Sequence, residues 1–319
     1  MMRAALGALL AAITLCATAQ PYPSRAIKFV VPFPPGGGVD IVARALSEKL
    51  SPRLGQPIVI ENRPGGGTTI GTEAVAKSAP DGYTLLVSGI ASQAIVHYMN
   101  PHRPFDFARD FAPVARIADG VIAFVVPASS RANSVADFVA LAKANPGKLT
   151  FASSGTGGII HLTGEMFKQA AGIDITHIPY KGTTQILPDI LDGRVDLALD
   201  SVPAYLPHIK AGRVKVFAIA SRTRSALLPE LPTMAEAGVP GVVAATDYAL
   251  YAPAATPQEA IARLYRETAS VLEMADLRAK LATQAIEVRG GTPEALQAEL
   301  AGELEKWGRV IRAANIKVE

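Results

Sequence analysis

The sequence predicts an α/β architecture with largely parallel sheets and helices on both faces. Short apolar runs alternate with segments of helical periodicity along most of the chain, the pattern of repeated strand–helix units. Some runs are apolar on both faces, as Phe124-Val125-Val126 is, which suits strands buried between helices. Three strand-to-helix junctions are glycine loops: Phe33-Pro34-Pro35-Gly36-Gly37-Gly38-Val39-Asp40, Pro64-Gly65-Gly66-Gly67-Thr68-Thr69 and Ser153-Ser154-Gly155-Thr156-Gly157-Gly158.

Taken in order, strands are expected at Ile27–Val31, Pro57–Ile60, Thr84–Val87, Phe124–Val126, Leu149–Phe151, Ile175–Pro179, Val195–Leu199, Val214–Ile219 and Tyr248–Tyr251. Helices are expected at Val39–Leu50, Val135–Ala144, Gly157–Ala171, Gln185–Leu191 and Ala204–Ala211. In the first of these helices Val39, Val42, Leu46 and Leu50 fall on one face. Gly172 stands where a left-handed residue ends a helix. Thr256-Pro257-Gln258-Glu259 reads as a capping box with Thr256 as the cap, and Thr292-Pro293-Glu294 opens the last helix in a similar way. Pro80-Asp81-Gly82 and Asn145-Pro146-Gly147 are turns entering strands.

Composition narrows the function. With 319 residues, 49% of them hydrophobic, the chain can bury a large core, and its length suits two domains. A formal charge of +3 and an aromatic content of 6% leave neither a basic footprint nor stacking platforms for nucleic acid. Arg3, the apolar stretch Ala4–Leu15 and Ala17-Thr18-Ala19 form a secretory leader over residues 1–19. Its dozen or so apolar residues fall short of the roughly 20 that span a bilayer, and Leu15 is bulky for a lipid-modified Cys16. Cleavage removes the sole cysteine, so no disulfide and no thiolate chemistry is expected in the exported chain. No linker separates two halves. The chain is therefore expected to cross between domains within strands, outward near Phe111–Val126 and back near Ala244–Pro253. That assigns residues 20–121 and 245–319 to a discontinuous first domain and 122–244 to the second.

The glycine loops fit an anion better than a nucleotide. Glycine permits positive φ and close approach of another molecule, and exposed N–H groups at a helix start favour negative charge. Thr72 occupies the place of a phosphate-binding lysine, and Ile41, Ile70 and Ile160 replace the third glycine of a dinucleotide loop. Neither G-x-S-x-G nor S-x-x-K occurs, so a nucleophilic hydrolase lacks its elbow. His161 and Glu165 are spaced for one metal, but His97, His102, His177 and His208 are scattered and no third ligand is apparent. His161 either donates a hydrogen bond near the ligand or packs at the domain interface. Hydroxyls of Ser153, Ser154, Thr156, Thr68 and Thr69 supply neutral donors that suit a carboxylate without burying a cation. Asp40 caps its helix or faces the cleft. No cofactor, metal or catalytic residue is expected.

Six further landmarks, in order, identify a resemblance. They are Pro32–Asp40, Glu61–Gly67, Pro80–Leu85, His177–Gly182, Pro207–Gly212 and Leu231–Gly238. With them the exported chain resembles, over its whole length, the Bug/TctC family of periplasmic receptors for tripartite tricarboxylate-type transporters. The resemblance implies a two-lobed, type II-like binding-protein fold with a cleft between lobes, each lobe a mainly parallel sheet flanked by helices. It implies a monomeric receptor without catalysis that closes on a small carboxylate and delivers it to membrane transporter subunits. By position it assigns binding to Phe33, Pro35, Gly36, Gly37 and Gly38, and to Ser153, Ser154, Gly155, Thr156 and Gly157, partly through ordered water. Ser88, Gly89, His161, Tyr180, Lys181 and Asp200 join them as candidates.

Two positions depart from the family pattern. Gly67-Thr68-Thr69-Ile70 stands where relatives usually carry another glycine, and Asp247, beside the candidate Tyr248, stands where many carry tryptophan. An acid there would repel a second carboxylate or pair with an amine, which implies an amino acid, an aromatic monocarboxylate or a similar ligand. Alternatively Asp247 turns to solvent. A sensor presenting the solute to a membrane signalling protein would use the same fold and site.

Overall fold

The computed structural model describes residues 22–314 and 316, so the expected leader with Arg3 and Cys16 lies outside the described residues. The order is β1 (Ile27–Val31), α1 (Gly38–Leu54), β2 (Ile58–Asn62), a 3-10 turn (Gly66–Thr68), α2 (Thr69–Ala76), β3 (Thr84–Ser88), α3 (Ile90–Met99), α4 (Phe107–Asp110) and β4 (Phe111–Pro127). Then come α5 (Val135–Ala144), β5 (Thr150–Ser153), α6 (Ile159–Ala171), β6 (Thr176–Pro179), α7 (Thr183–Leu191), β7 (Leu197–Ser201), a 3-10 turn (Val202–Tyr205), α8 (Leu206–Lys210) and β8 (Val214–Ile219). The chain returns through β9 (Ala245–Pro253), α9 (Gln258–Leu272), α10 (Ala275–Ala282), β10 (Ile286–Val288) and α11 (Pro293–Ala314).

The strands form one path in the order β2-β1-β3-β9-β4-β7-β5-β6, with β8 and β10 pairing additionally to β4. The expected parallel pairing holds on the two flanks, where β1 lies parallel to β2 and β3, and β5 parallel to β6 and β7. Around the two long strands it is antiparallel, because β4 and β9 run between the halves in opposite directions. β4 changes partners along its length. Phe111 to Val121 pair with β9, whereas Ile122 to Pro127 pair with β7 and β8. The result is a two-lobed α/β fold whose lobes share these strands.

Each lobe has its own apolar centre. In the first, Phe29, Val42, Leu46, Leu50, Leu85 and Leu250 are buried together, and full burial of such a side chain contributes about 1.5–3 kcal/mol. In the second, Phe124 meets Phe138 and Phe167 edge-on at 5.2 Å. The last helix belongs to both. Leu296 and Leu300 pack with the first lobe, whereas Trp307, Val310 and Ile311 pack with the phenylalanine cluster.

Punctuation follows the sequence in part. Gly172 ends α6 in the left-handed region (φ 60°, ψ 48°), and Thr292 caps α11 through a 3.2 Å bond from the Ala295 N–H. The capping box at Thr256 does not form. The α9 helix starts one residue later with Pro257 as its cap, and the Thr256 hydroxyl is buried without a partner. The expected helix at Ala204–Ala211 is a 3-10 turn followed by one short α-helix, since Pro207 at its start supplies no N–H.

Candidate functional site

Four helices follow strands directly and begin on glycine: α1 after Gly37, α3 after Gly89, α6 after Gly158 and α7 after Gly182. None donates an N–H to a side chain of its own cap residue, because glycine has none. Their first N–H groups therefore need partners from elsewhere and carry the positive end of the helix dipole.

The loop before α1 is braced by the helix it precedes. One carboxylate oxygen of Asp40 accepts from the Gly36 N–H and the Arg44 Nε, both at 2.9 Å, and the other accepts from Asn62 Nδ2 at 2.9 Å. Asn62 also donates to the Phe33 carbonyl at 3.2 Å. Burial opposes ionisation of Asp40, but the bonds from Arg44, Gly36 and Asn62 outweigh it and hold the carboxyl below its ordinary pKa. Asp40 thus spends both oxygens inside the loop. Pro35, Gly36 and Gly37 remain exposed, and Phe33 and Gly38 are half-buried. Gly38 is obligatory for a different reason: a Cβ there would run into the Tyr248 hydroxyl.

A pair of histidines holds the loop before α6. His177 Nε2 lies 2.7 Å from the fully buried Ser153 Oγ, which also donates to the Gly155 carbonyl at 3.0 Å. The two imidazoles stack with centroids 3.8 Å apart at 15°. His161 Nδ1 accepts the Gly157 N–H at 3.0 Å. Burial pushes both imidazoles down to about 4. The Lys168 charge adds to the effect on His161, and His161 followed by Lys168 adds to that on His177. A Ser–His pair therefore does exist, with His177 instead of His161, but its serine has no exposed face and its bonds close the loop on itself. Gly155 (φ 148°) and Gly157 (φ 74°) take backbone conformations that side chains resist, and a Cβ at Gly157 would also strike Met99 at the end of α3. Thr156 is exposed, and Ser154 is half-buried.

The second glycine loop turns its hydroxyls inward. Thr68 and Thr69 are buried, with their hydroxyls directed to Gln93 at 3.4 Å and to Asn100 at 3.2 Å. Gln93 gathers Thr72 and Ser88 as well, at 3.1 and 2.9 Å, so the Ser88 hydroxyl is spent in the same buried cluster. The hydroxyls of this loop and of Ser88 thus accept bonds within a buried cluster.

Asp247 faces neither solvent nor a free cleft wall. It is 8% exposed, and its carboxylate accepts the first backbone N–H groups of α3, from Ile90 and, at 3.1 Å, from Ala91. Burial raises its pKa to about 7 despite the nearby Arg116 and the two N–H donors, and Glu303 adds to the rise. Tyr248, next along β9, is buried with its hydroxyl 3.3 Å from the Thr246 hydroxyl. In the second lobe Asp200 is satisfied by Ser201 N–H (2.7 Å), Thr183 Oγ1 (3.1 Å) and the Tyr205 hydroxyl (3.1 Å), and burial lifts it to about 6. Tyr180 bonds to Asp189 at 2.7 Å, while Lys181 is exposed.

The loop before α1 thus lies against β9 at Tyr248, and the loop before α6 against the last residue of α3, Met99. Among the described residues no group of three His, Cys, Asp or Glu could hold a metal ion, and no helix is long and apolar enough to cross a membrane. His177, Gln93 and Met99 were not anticipated as site residues. A signal for His177 lay in strand adjacency, since β6 pairs with β5 and sets His177 beside Phe151, two residues from Ser153. Arg116 was also missed. It joins Asp119 and Glu299 in ion pairs, and Arg289 reaches Asp119 at 3.2 Å.

Comparison with known proteins agrees with this architecture. The profile of the tripartite tricarboxylate transporter family receptor matches residues 42–316. Protein BugT of Bordetella pertussis is 37% identical over 310 residues, covering 97% of this chain and 95% of BugT. The structure of periplasmic binding protein BugD superposes with a TM-score of 0.81 at 32% identity, over 93% of this chain and 99% of the other. Rhodopseudomonas palustris Rpa4515, solved with adipate, superposes at 0.85 with 36% identity, over 93% and 99% respectively. The chain belongs to the tripartite tricarboxylate transporter receptor family, the Bug/TctC solute-binding proteins.

Proposed function

We propose that this protein is a periplasmic receptor that encloses a small carboxylate-bearing solute between its lobes and delivers it to membrane subunits of a tripartite tricarboxylate-type transporter. The observation that carries the reading is the pair of glycine-started helices α1 and α6, whose cap residues offer no side chain and whose preceding loops expose Pro34 to Gly37 and Thr156 with Gly158. A carboxylate fits such starts through backbone N–H groups and partial positive charge. The adipate of Rpa4515 supports the ligand class.

The loops Phe33–Gly38 and Ser153–Gly157 are the two jaws, with Tyr248 beneath the first. Tyr180 and Lys181 border the second. Asp40 and Asp200 act by bracing, because both carboxylate oxygens of each are already engaged within the protein, and Ser88 and His161 brace through the bonds from Gln93 and Gly157. The change of partners along β4 between Val121 and Ile122 supports lobe boundaries at 121/122 and 244/245, with the hinge in β4 and β9. Hinge closure follows because the liganded cleft favours the closed state. The receptor works as a monomer, and its bonded Ser153–His177 pair performs no chemistry.

A thermal-shift panel of mono-, di- and tricarboxylates, with matched amides and alcohols, tests the reading. A ligand at 100 times its dissociation constant stabilises the fold by roughly 2.7 kcal/mol, so a carboxylate should raise the transition and its amide should not. A panel in which no carboxylate shifts the transition refutes the receptor reading.

A further inference from the structure

Two carboxylates of the chain already sit at helix starts beside the proposed jaws. In the first lobe Asp247 reaches from β9 to the α3 start, accepting from Ile90 and Ala91. The seat is shaped for it, since a Cβ at Gly89 would come within 2.8 Å of the Asp247 carbonyl and 3.5 Å of its Oδ1. In the second lobe Asp200 accepts from the hydroxyl of Thr183, the first residue of α7. Among the described residues, the starts of α1 and α6 have no such resident carboxylate. Their neighbours Asp40 and His161 bond to Gly36 and Gly157, which precede the helices. β1 and β3 are adjacent and parallel, so the α1 and α3 starts lie at the same edge of the sheet. On the β3 side a ligand carboxylate at α1 therefore has an equivalent seat at α3, and there it meets the carboxylate of Asp247.

We propose that Asp247 is a specificity-determining residue, a built-in carboxylate that fills the α3 seat and denies that seat to a second carboxylate of the ligand. The inference rests on the receptor reading above. Occupancy does the selecting: a second ligand carboxylate at α3 would have to displace a buried side chain that satisfies two backbone donors. Removing the side chain would open the seat, while asparagine, which keeps an accepting oxygen, would leave it filled.

The test uses matched pairs that differ by one carboxylate: butyrate with succinate, hexanoate with adipate, and benzoate with terephthalate. Calorimetric titration of the unaltered chain should give tighter binding for the monocarboxylate of the pair that binds. Asp247→Ala should improve the dicarboxylate at least tenfold relative to its partner, and Asp247→Asn should change that ratio less than threefold. A crystal of Asp247→Ala grown in formate should show formate on the Ile90 and Ala91 N–H groups. Tenfold tighter dicarboxylate binding by the unaltered chain overturns the inference without touching the receptor reading, and this arm needs no variant. The same holds if the ratio is unchanged in a folded Asp247→Ala protein. If no member of any pair binds the unaltered chain, the receptor reading fails and the inference falls with it.

Discussion

The Oγ of Ser153 and the Nε2 of His177 lie 2.7 Å apart across neighbouring strands, and His177 in turn stacks on His161. The pair ties the loop before α6 to the sheet, so its protonation state matters to the fold. Both imidazoles have pKa values lowered from 6.5 to about 4 by burial first and by the Lys168 charge among the lesser causes. Between those values the unfolded chain binds more protons than the native one, so this contribution is present above pH 6.5 and is lost as pH falls through 4. Asp247 and Asp200 act with the opposite sign. Burial raises them to about 7 and about 6, so their contribution is present below the ordinary carboxylate pKa and is lost as pH rises through those values. Urea midpoints measured from pH 4 to 7 should therefore rise more steeply with pH in Asp247→Asn than in the unaltered protein. An identical pH profile contradicts the assignment.

A second expectation concerns Gly38 and Tyr248. Alanine at 38 meets the tyrosine hydroxyl and should destabilise the protein by about 1–3 kcal/mol, the usual range for overpacking. Removing the hydroxyl in the double variant Gly38→Ala/Tyr248→Phe should recover part of that loss, leaving the Cζ contact at 3.2 Å. Chemical denaturation of the four proteins in the cycle gives the coupling directly. Additive effects would mean that the two residues do not press on one another.

Arg116 lies beside an irregularity in the β4–β9 register, where it pairs with Glu299 and shares Asp119 with Arg289. Its side chain is 14% exposed, so Arg116→Met leaves Glu299 without its cation while Asp119 keeps Arg289, and should cost about 1–3 kcal/mol. The Arg116 charge also holds Asp247 down, so the variant should move the Asp247 titration to higher pH. Denaturation and NMR titration of the Asp247 carboxyl carbon check the two parts. A variant within 0.5 kcal/mol of the parent would show the network to be ornamental.

These relationships mark where sequence reading succeeds and where it stops. Ile27–Val31 and Val214–Ile219 were legible because strand propensity and burial agree there, and Gly172 because a left-handed helix end needs a residue without Cβ. The glycine loops were legible for the same reason. Thr256 misled because its local pattern matched a cap while Pro257 took that place. The three-residue strand β10 was too short for any periodicity and exists through its pairing with β4. Asp247 was singled out by type, but its partners stand 157 and 156 residues away, and no spacing announces a carboxylate brought to a helix start by β9. Ser153 with His177 and Arg116 with Glu299 are of the same kind.

The most direct measurement is a crystal structure of the protein with whichever carboxylate most raises its thermal transition. The ligand carboxylate should lie between the lobes, accepting from the backbone N–H groups at the start of α1 or of α6, directly or through one water. A carboxylate bound away from both helix starts would contradict the central claim.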